Sequence, residues 1–222
     1  DVKLHVLDFV MTGMVNDVEV ATGFQWRKEH HDVARNDDSI AGFDANGNLS
    51  EPADLIFLGG GIETTASRAA YAVFAEAAKQ ASEKVELRGA VRYESLESDS
   101  TLNPKVSIRM QANDNLVLRG SVSTSFREPS LSQLNQSSVG LQGIQDFDTS
   151  GNPVGQPSFI RIAQAYSTDL IPEESTNMNL GAIWTPNDQL SVKFDYWSID
   201  YRDVITIESA QGKVIADPEG PD

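Results

Sequence analysis

The sequence contains no cysteine. A disulfide framework, a thiolate zinc site and a cysteine nucleophile are therefore excluded. Basic residues are few as well, since 17 Lys and Arg stand against 33 Asp and Glu and give a formal net charge of −16. A protein that binds nucleic acid needs a basic surface to hold the phosphates, so this charge balance argues against nucleic acid as a partner.

Long hydrophobic runs are also missing. No stretch approaches the roughly 18–20 consecutive apolar residues that a membrane helix requires, which excludes a helical membrane protein. A transmembrane β-strand needs only about 9–11 alternating residues, so a β-barrel stays open. Residues 1–4 show no signal-peptide pattern and begin as though within a strand. We therefore expect an internal fragment of a longer protein.

The clearest pattern in the chain is the alternation of residues 115–127. Every second position is apolar or small: Leu116, Leu118, Gly120, Val122, Thr124 and Phe126. The intervening positions are polar apart from Val117: Asn115, Arg119, Ser121, Ser123, Ser125 and Arg127. Successive side chains of a strand point to opposite faces, so one face is apolar and the other polar. A soluble sheet buries its apolar face in a core, whereas a transmembrane barrel turns that face to lipid and lines a wet lumen with the polar one.

Further segments are predicted as strands: residues 2–12, 18–31, 66–81, 84–94, 104–112, 174–185 and 190–207. Together they predict an all-β antiparallel meander of about eight strands. The segment 66–81 is alanine-rich, a composition that favours a helix. Alternation is also compatible with it, although a strand would place Phe74 on the polar face. The residues alone favour neither structure at 66–81.

The connections between these segments alternate between short and long. Short ones are predicted at residues 13–17, 79–83, 113–115 and 186–188, with a further brief one at 98–103. Long ones are predicted at 32–65 and 128–173. Structureless loops of more than about 15 residues are uncommon inside a compact soluble domain. Short turns on one side and long loops on the other are typical of an outer-membrane barrel.

No pattern indicates catalysis or a metal site. His30 and His31 are adjacent, so their rings would face opposite sides of a strand and could not share one metal without a β-bulge. Residues 43–48 and 147–152 carry side-chain oxygens at alternate positions, as a calcium loop does, but the glycine is misplaced and no closing glutamate follows. We interpret both segments as tight hairpin turns.

Charged residues are concentrated on the predicted polar face, namely Arg88, Arg92, Arg109, Arg119 and Arg127 together with Glu86 and Glu94. One interpretation is a solvated sheet face with cross-strand ion pairs. The other is a lumen wall that contacts a plug or an anionic solute. The two interpretations are compatible within one barrel.

Several motifs resemble those of TonB-dependent receptors of bacterial outer membranes. Residues 126–130, Phe-Arg-Glu-Pro-Ser, resemble the S-F-R-x-P-S signature of that family. Similar family motifs follow in the family's order at residues 23–29, 71–76, 87–94, 103–105, 118–121, 170–177 and 195–197. The motif residues with an expected structural role are Arg92, Tyr93, Arg119, Phe126, Arg127, Pro129, Pro172, Glu173 and Asn177. The resemblance also favours a strand at 66–81.

The resemblance implies a fold and a function. Residues 1–222 would form part of a barrel of about 22 strands with long extracellular loops, without the plug, the TonB box or the terminal strands. The expected location is the outer membrane of a Gram-negative bacterium, with membrane lipid, a small nutrient and, through the plug, the TonB complex as partners. The expected activity is energy-coupled uptake of a metal–siderophore, cobalamin or a glycan, with no enzymatic role and no cofactor. The alternatives are a passive porin and a secreted β-sheet binding or hydrolase domain.

Overall fold

The computed structural model describes residues 1–54, 59–97 and 99–217. Its strands are β1 (Val2–Val15), β2 (Val18–Val33), β3 (Gly42–Phe43), β4 (Leu49–Glu51), β5 (Gly60–Gly61), β6 (Thr64–Ser82), β7 (Val85–Ser95), β8 (Ser100–Asn113), β9 (Leu116–Arg127), β10 (Ser138–Phe147), β11 (Pro153–Gln164), β12 (Glu173–Asn187) and β13 (Leu190–Arg202). The helices are α1 (Leu131–Asn135) and α2 (Ala210–Ala216), with one 3₁₀ turn at Asp37–Ser39. No helix of the described residues is long and apolar enough to cross a membrane.

The main element is an eight-stranded sheet of order β1-β2-β6-β7-β8-β9-β12-β13. Every neighbouring pair is antiparallel. The predicted antiparallel meander is therefore confirmed, and it remains an open sheet. A smaller sheet of order β11-β10-β5 and the hairpin β3-β4 lie in the long connections.

The alanine-rich segment is a strand. It forms most of β6, which pairs with β2 along one edge and with β7 along the other. Two ladders of backbone hydrogen bonds thus override the helix propensity of alanine. The last predicted strand is shorter than expected, because β13 ends at Arg202 and Asp203 adopts a positive φ of 54°.

The long connections are not structureless, which corrects the expectation from the sequence. The first contains β3, β4 and β5, and the second contains α1, β10 and β11. The brief connection predicted at 98–103 is also wrong in extent, since 100–103 belong to β8 and residue 98 lies outside the described residues. The predicted difference in length between short and long connections is nevertheless present. Only two residues separate β1 from β2, β6 from β7, β8 from β9, and β12 from β13.

The two turn units connect strand pairs, as predicted. Asp44 lies between β3 and β4, and its Oδ1 accepts hydrogen bonds from the backbone N–H groups of Asn46 (2.8 Å) and Asn48 (2.9 Å). Asp148 lies between β10 and β11 and accepts equivalent bonds from Ser150 (2.9 Å) and Asn152 (2.8 Å). These hydrogen bonds, first those of Asn48 and Asn152, lower the pKa of both carboxyls. The carboxylates are thus satisfied by their own turns.

The apolar face of the main sheet is exposed. The register of the strands places the apolar side chains of neighbouring strands side by side, so that they form a continuous band. Val106 is opposite Val122, and Val122 is opposite Met178. Large side chains of this band have high exposed fractions, including Phe9 (63%), Val73 (52%), Val106 (64%), Val122 (53%), Leu180 (51%) and Phe194 (66%). Within the described residues no second layer packs on it. A soluble sheet would bury such a face, whereas a barrel turns it to lipid.

Candidate functional site

The opposite face of the sheet carries most of the paired charges. Arg88 lies 2.5 Å from Glu86 on the same strand, β7. Arg127, at the end of β9, donates two hydrogen bonds to Glu173 on β12, at 2.5 and 2.8 Å. These contacts support the interpretation of this face as a network of ion pairs, made both along a strand and across strands.

The Arg119 side chain pairs with a residue that lies beyond the neighbouring strand. Its Nη2 donates to both oxygens of Asp195, each at 2.7 Å, although β12 lies between the two strands. The residue of β12 in register between them is Gly181. A Cβ on Gly181 would lie 2.6 Å from the Arg119 Nε, so the missing side chain is what lets the bidentate pair form.

Arg109 is placed differently from the other predicted arginines. It is exposed and lies in register between Glu86 and Arg119. Both of those neighbours already have partners, and Arg109 has no ion pair with any described residue, nor does Lys105 on the same face. Lys105 and Arg109 are therefore two cations on the polar face that ion pairs within the described chain leave unmatched.

Buried and half-buried charges form a cluster at the end of the sheet near the long connections, on β2, β6 and β7 and on one residue after β9. We call it the Arg/Glu cluster; its members are Arg27, Glu29, Arg68, Arg92, Glu94 and Glu128. Arg27 and Arg92 each lie 2.5 Å from an oxygen of Glu94. Arg68 lies 2.7 Å from Glu29. The side chains of Arg68 and Glu94 are only 7% and 5% exposed, so each charge depends on its partners.

Glu128 joins this cluster from outside the strands. It directly follows β9, and its two oxygens lie 3.3 Å from Arg68 and 3.5 Å from Arg27. Arg68 also donates a 2.5 Å hydrogen bond to the backbone carbonyl of Pro129. Burial raises the pKa of the Glu128 carboxyl above its usual value, and the two guanidinium groups oppose this rise.

Phe74 lies on the polar face, as the alternation of a strand at 66–81 predicts. A Cβ on Gly23 would overlap its ring, so the glycine provides the space that the ring occupies. The Arg92 guanidinium lies 5.9 Å above the ring centroid and donates a 2.7 Å hydrogen bond to Gln25. The aromatic ring and the amide thus orient Arg92 toward Glu94.

Two aromatic residues and one isoleucine extend this face on β13. Trp197, Ile199 and Tyr201 are in register with Asn179, Asn177 and Ser175 of β12, and their exposed fractions are 69%, 45% and 60%. Asn177 donates a 3.0 Å hydrogen bond to the Ser125 hydroxyl, which lies 2.7 Å from that of Ser175. The polar face therefore carries large apolar side chains on β13, in addition to Val117 on β9.

The predicted motif residues occupy several separate places. Arg92 is a member of the Arg/Glu cluster, and the Pro129 carbonyl accepts a hydrogen bond from it through Arg68. Arg127 pairs with Glu173, and Pro172 is buried beside that pair. Tyr93 and Phe126 lie on the apolar face. Arg68 and Glu128 were not singled out as site residues from the sequence, because their meeting depends on the path of a long connection. The alternation of Arg27 and Glu29 on the polar side of β2 was the available signal.

The histidines lie near the start of the main sheet, on β1 and β2. The Nε2 atom of His31 lies 3.4 Å from the Oε1 atom of Gln136. Among the described residues, no group of three or more His, Asp or Glu side chains is arranged to hold a metal ion.

Known proteins resemble this chain in sequence pattern and in fold. The family model described as TonB dependent receptor-like, beta-barrel matches residues 4–215. A mutant of the ferric enterobactin receptor PfeA from Pseudomonas aeruginosa has a TM-score of 0.68 and 15% identity, over 90% of this chain and 27% of that chain. The siderophore receptor PirA from Acinetobacter baumannii has a TM-score of 0.65 and 17% identity, over 91% of this chain and 28% of that chain. No curated protein matches.

These similarities differ in what they establish. At such low identity the solved structures show a common fold, and the chain spans little more than a quarter of their length. The family match extends over almost all of the chain and agrees with the motifs at residues 23–29, 87–94 and 126–130. The chain belongs to the TonB-dependent receptor family, as a segment of its β-barrel.

Proposed function

We propose that this chain forms part of the wall and rim of a receptor in the outer membrane of a Gram-negative bacterium. The receptor imports a scarce nutrient, with energy supplied through the TonB complex. The observation that carries this proposal is a meander of the receptor family with one exposed apolar face and one charged face. The apolar face contacts lipid, and the charged face lines the lumen. Residues 1–222 supply part of the barrel, and the TonB complex contacts a plug outside this segment.

Within this proposal the nutrient is a ferric siderophore, with cobalamin and glycans as the alternatives. The solved relatives are described as a ferric enterobactin receptor and a siderophore receptor. Lys105 and Arg109 lack an ion pair among the described residues and lie on the face assigned to the lumen. Unmatched cations in a lumen attract an anionic solute and raise its local concentration.

Uptake by cells that express the whole receptor tests this function. Deleting the gene should abolish uptake of the iron chelate that the receptor carries and leave other routes intact. Replacing Lys105 and Arg109 together with glutamine should lower uptake of an anionic ferric siderophore by about tenfold and leave that of cobalamin unchanged. Lys28→Gln removes one positive charge from the opposite face and serves as the control. Undiminished uptake of the anionic ferric siderophore in the deletion strain would contradict the siderophore assignment.

The second test concerns topology. The connections at 34–63 and 128–172 should face the cell exterior, and the turns at 83–84 and 114–115 the periplasm, because outer-membrane barrels keep periplasmic turns short. Protease added to intact cells should cleave the receptor within the two long connections only. Cleavage between β6 and β7 in sealed cells would show that the orientation is reversed. Cells with a permeabilised outer membrane provide the control for access to that turn.

A further inference from the structure

The two long connections are joined to each other by their backbones. Gly60 and Gly61 of the first connection pair with Val139 and Ser138 of the second, which makes β5 and β10 neighbours in one small sheet. The Ile62 N–H donates to the carbonyl of Ser137 at 3.2 Å. We call the combined unit the cap; it consists of the described residues of 34–63 together with 128–172.

The cap has its own small apolar core. Ala41 and Ala53 come from the first connection and Val139 from the second, and their exposed fractions are 2%, 8% and 8%. Phe43 and Leu49 pack against them. Because residues of both connections form this core, neither connection alone buries it. Opening one without the other would expose these side chains to water.

The first part of the second connection, residues 128–137, ties the rest of the cap back onto the main sheet, and we call it the strap. It leaves β9 and reaches β6, although β7 and β8 lie between these strands. Helix α1 within the strap contacts β2 and β6. The Thr64 hydroxyl donates a 3.2 Å hydrogen bond to the carbonyl of Asn135. The Ser137 residue at the end of the strap is 1% exposed.

Glu128 is the charged contact at the start of this strap, and its geometry makes it the releasable member of the Arg/Glu cluster. Its contacts with Arg68 and Arg27 are 3.3 and 3.5 Å long. The same arginines lie 2.7 Å from Glu29 and 2.5 Å from Glu94, which are on strands. Shorter charge-assisted hydrogen bonds are stronger, so the pairs between strands outlast those of Glu128.

We propose that the two long connections move as one cap, and that Glu128 is the latch that fastens this cap to the sheet. Release of Glu128 from Arg27 and Arg68 removes the ion pairs at the start of the strap and leaves it held by the Arg68–Pro129 and Thr64–Asn135 hydrogen bonds and by α1. The strap is then loosened, and the shared β5-β10 pairing and core carry the loosening into residues 34–63. The latch thus couples Glu128 to residues 34–63, which lie more than 60 positions away in sequence. The cap would then act as a lid that opens at the rim of the barrel as a single unit.

Hydrogen–deuterium exchange on the whole receptor, without ligand, tests this coupling independently of transport. Glu128→Gln should raise exchange by about tenfold in peptides from residues 36–54 and from 131–147 together. Protection in β7 and β8 should be unchanged, which would show that the barrel is still folded. Glu128→Asp keeps the charge on a shorter side chain and should give a smaller rise in both segments.

Glu173→Gln is the matched control. Glu173 directly follows the same connection and also pairs with an arginine, but that partner is Arg127. Among the described residues no ion pair or side-chain hydrogen bond joins this pair to β2 or β6. We expect it to leave exchange in residues 36–54 unchanged. Faster exchange confined to residues 128–137 in Glu128→Gln, or an equal rise in 36–54 from Glu173→Gln, would overturn the latch. If Glu128→Gln does not fold, Glu128→Asp decides by the same criterion.

Discussion

Replacing Arg68 with methionine is expected to lower the free energy of unfolding of the receptor by about 3–5 kcal/mol. The Arg68 side chain is 7% exposed and contacts two carboxylates, Glu29 at 2.7 Å and Glu128 at 3.3 Å. Methionine removes the positive charge but keeps much of the length. Glu128, itself 8% exposed, would lose one of its two cations, and the Pro129 carbonyl would lose its donor. Urea unfolding of the purified receptor, monitored by fluorescence, measures the loss.

Arg88→Met is the control for this prediction. Arg88 is also on the polar face and pairs with a glutamate, but its side chain is 54% exposed. Exposed pairs contribute about 0–1 kcal/mol, so the change should be small. The double variant Arg68→Met/Glu128→Gln should recover part of the lost stability, because it also removes the uncompensated charge. Equal losses for Arg68→Met and Arg88→Met would show that burial of the cluster has no energetic consequence.

Replacing Leu118 with arginine should destabilise the receptor in lipid by about 2–4 kcal/mol, the cost of a cation near the middle of a bilayer. Leu118 is on the apolar face, in register between Met110 and Ala182. The expected cause is transfer of the guanidinium from water into hydrocarbon. Unfolding titrations of the receptor in vesicles of a single phospholipid measure this cost.

Ser121→Arg serves as the matched change on the other face. Ser121 is three residues further along β9 and lies between Ser107 and Asn179, on the face that carries the ion pairs. A wet lumen accepts a cation, so we expect a loss well below that of Leu118→Arg. An equal loss at both positions would contradict the assignment of the two faces.

The S-F-R-x-P-S motif has a structural explanation in these interactions. Arg127 fixes the end of β9 to β12 through Glu173, whereas Glu128 and the Pro129 carbonyl turn the chain back to Arg68 on β6. Ser130 then begins α1 with a capping box, in which its side chain and that of Gln133 each bond to the other's backbone N–H. The motif therefore ends a strand and starts the strap.

The sequence by itself determined the strands of the main sheet other than β6, together with their faces. Alternation is a local property, since each residue of a strand points opposite to the one before it. For this reason the facing of β9 and the position of Phe74 on the polar face could be predicted from residue order alone. Segment 66–81 marks the limit of this approach, because its alanine content favours a helix and only pairing with β2 and β7 makes it a strand.

The tertiary structure alone decided which residues meet. Arg27, Arg68 and Glu128 lie on β2, on β6 and after β9, and the distances between them in sequence carry no local signal. Their meeting depends on the strap, which crosses back over two strands, and on the pairing of Gly60 with Val139. Long-range contacts of this kind are made where the chain closes large loops, and residue patterns within a few positions do not encode them. The strands of the main sheet other than β6 therefore follow from the sequence, whereas β6, the short strands of the long connections, the cluster, the strap and the cap follow only from the fold.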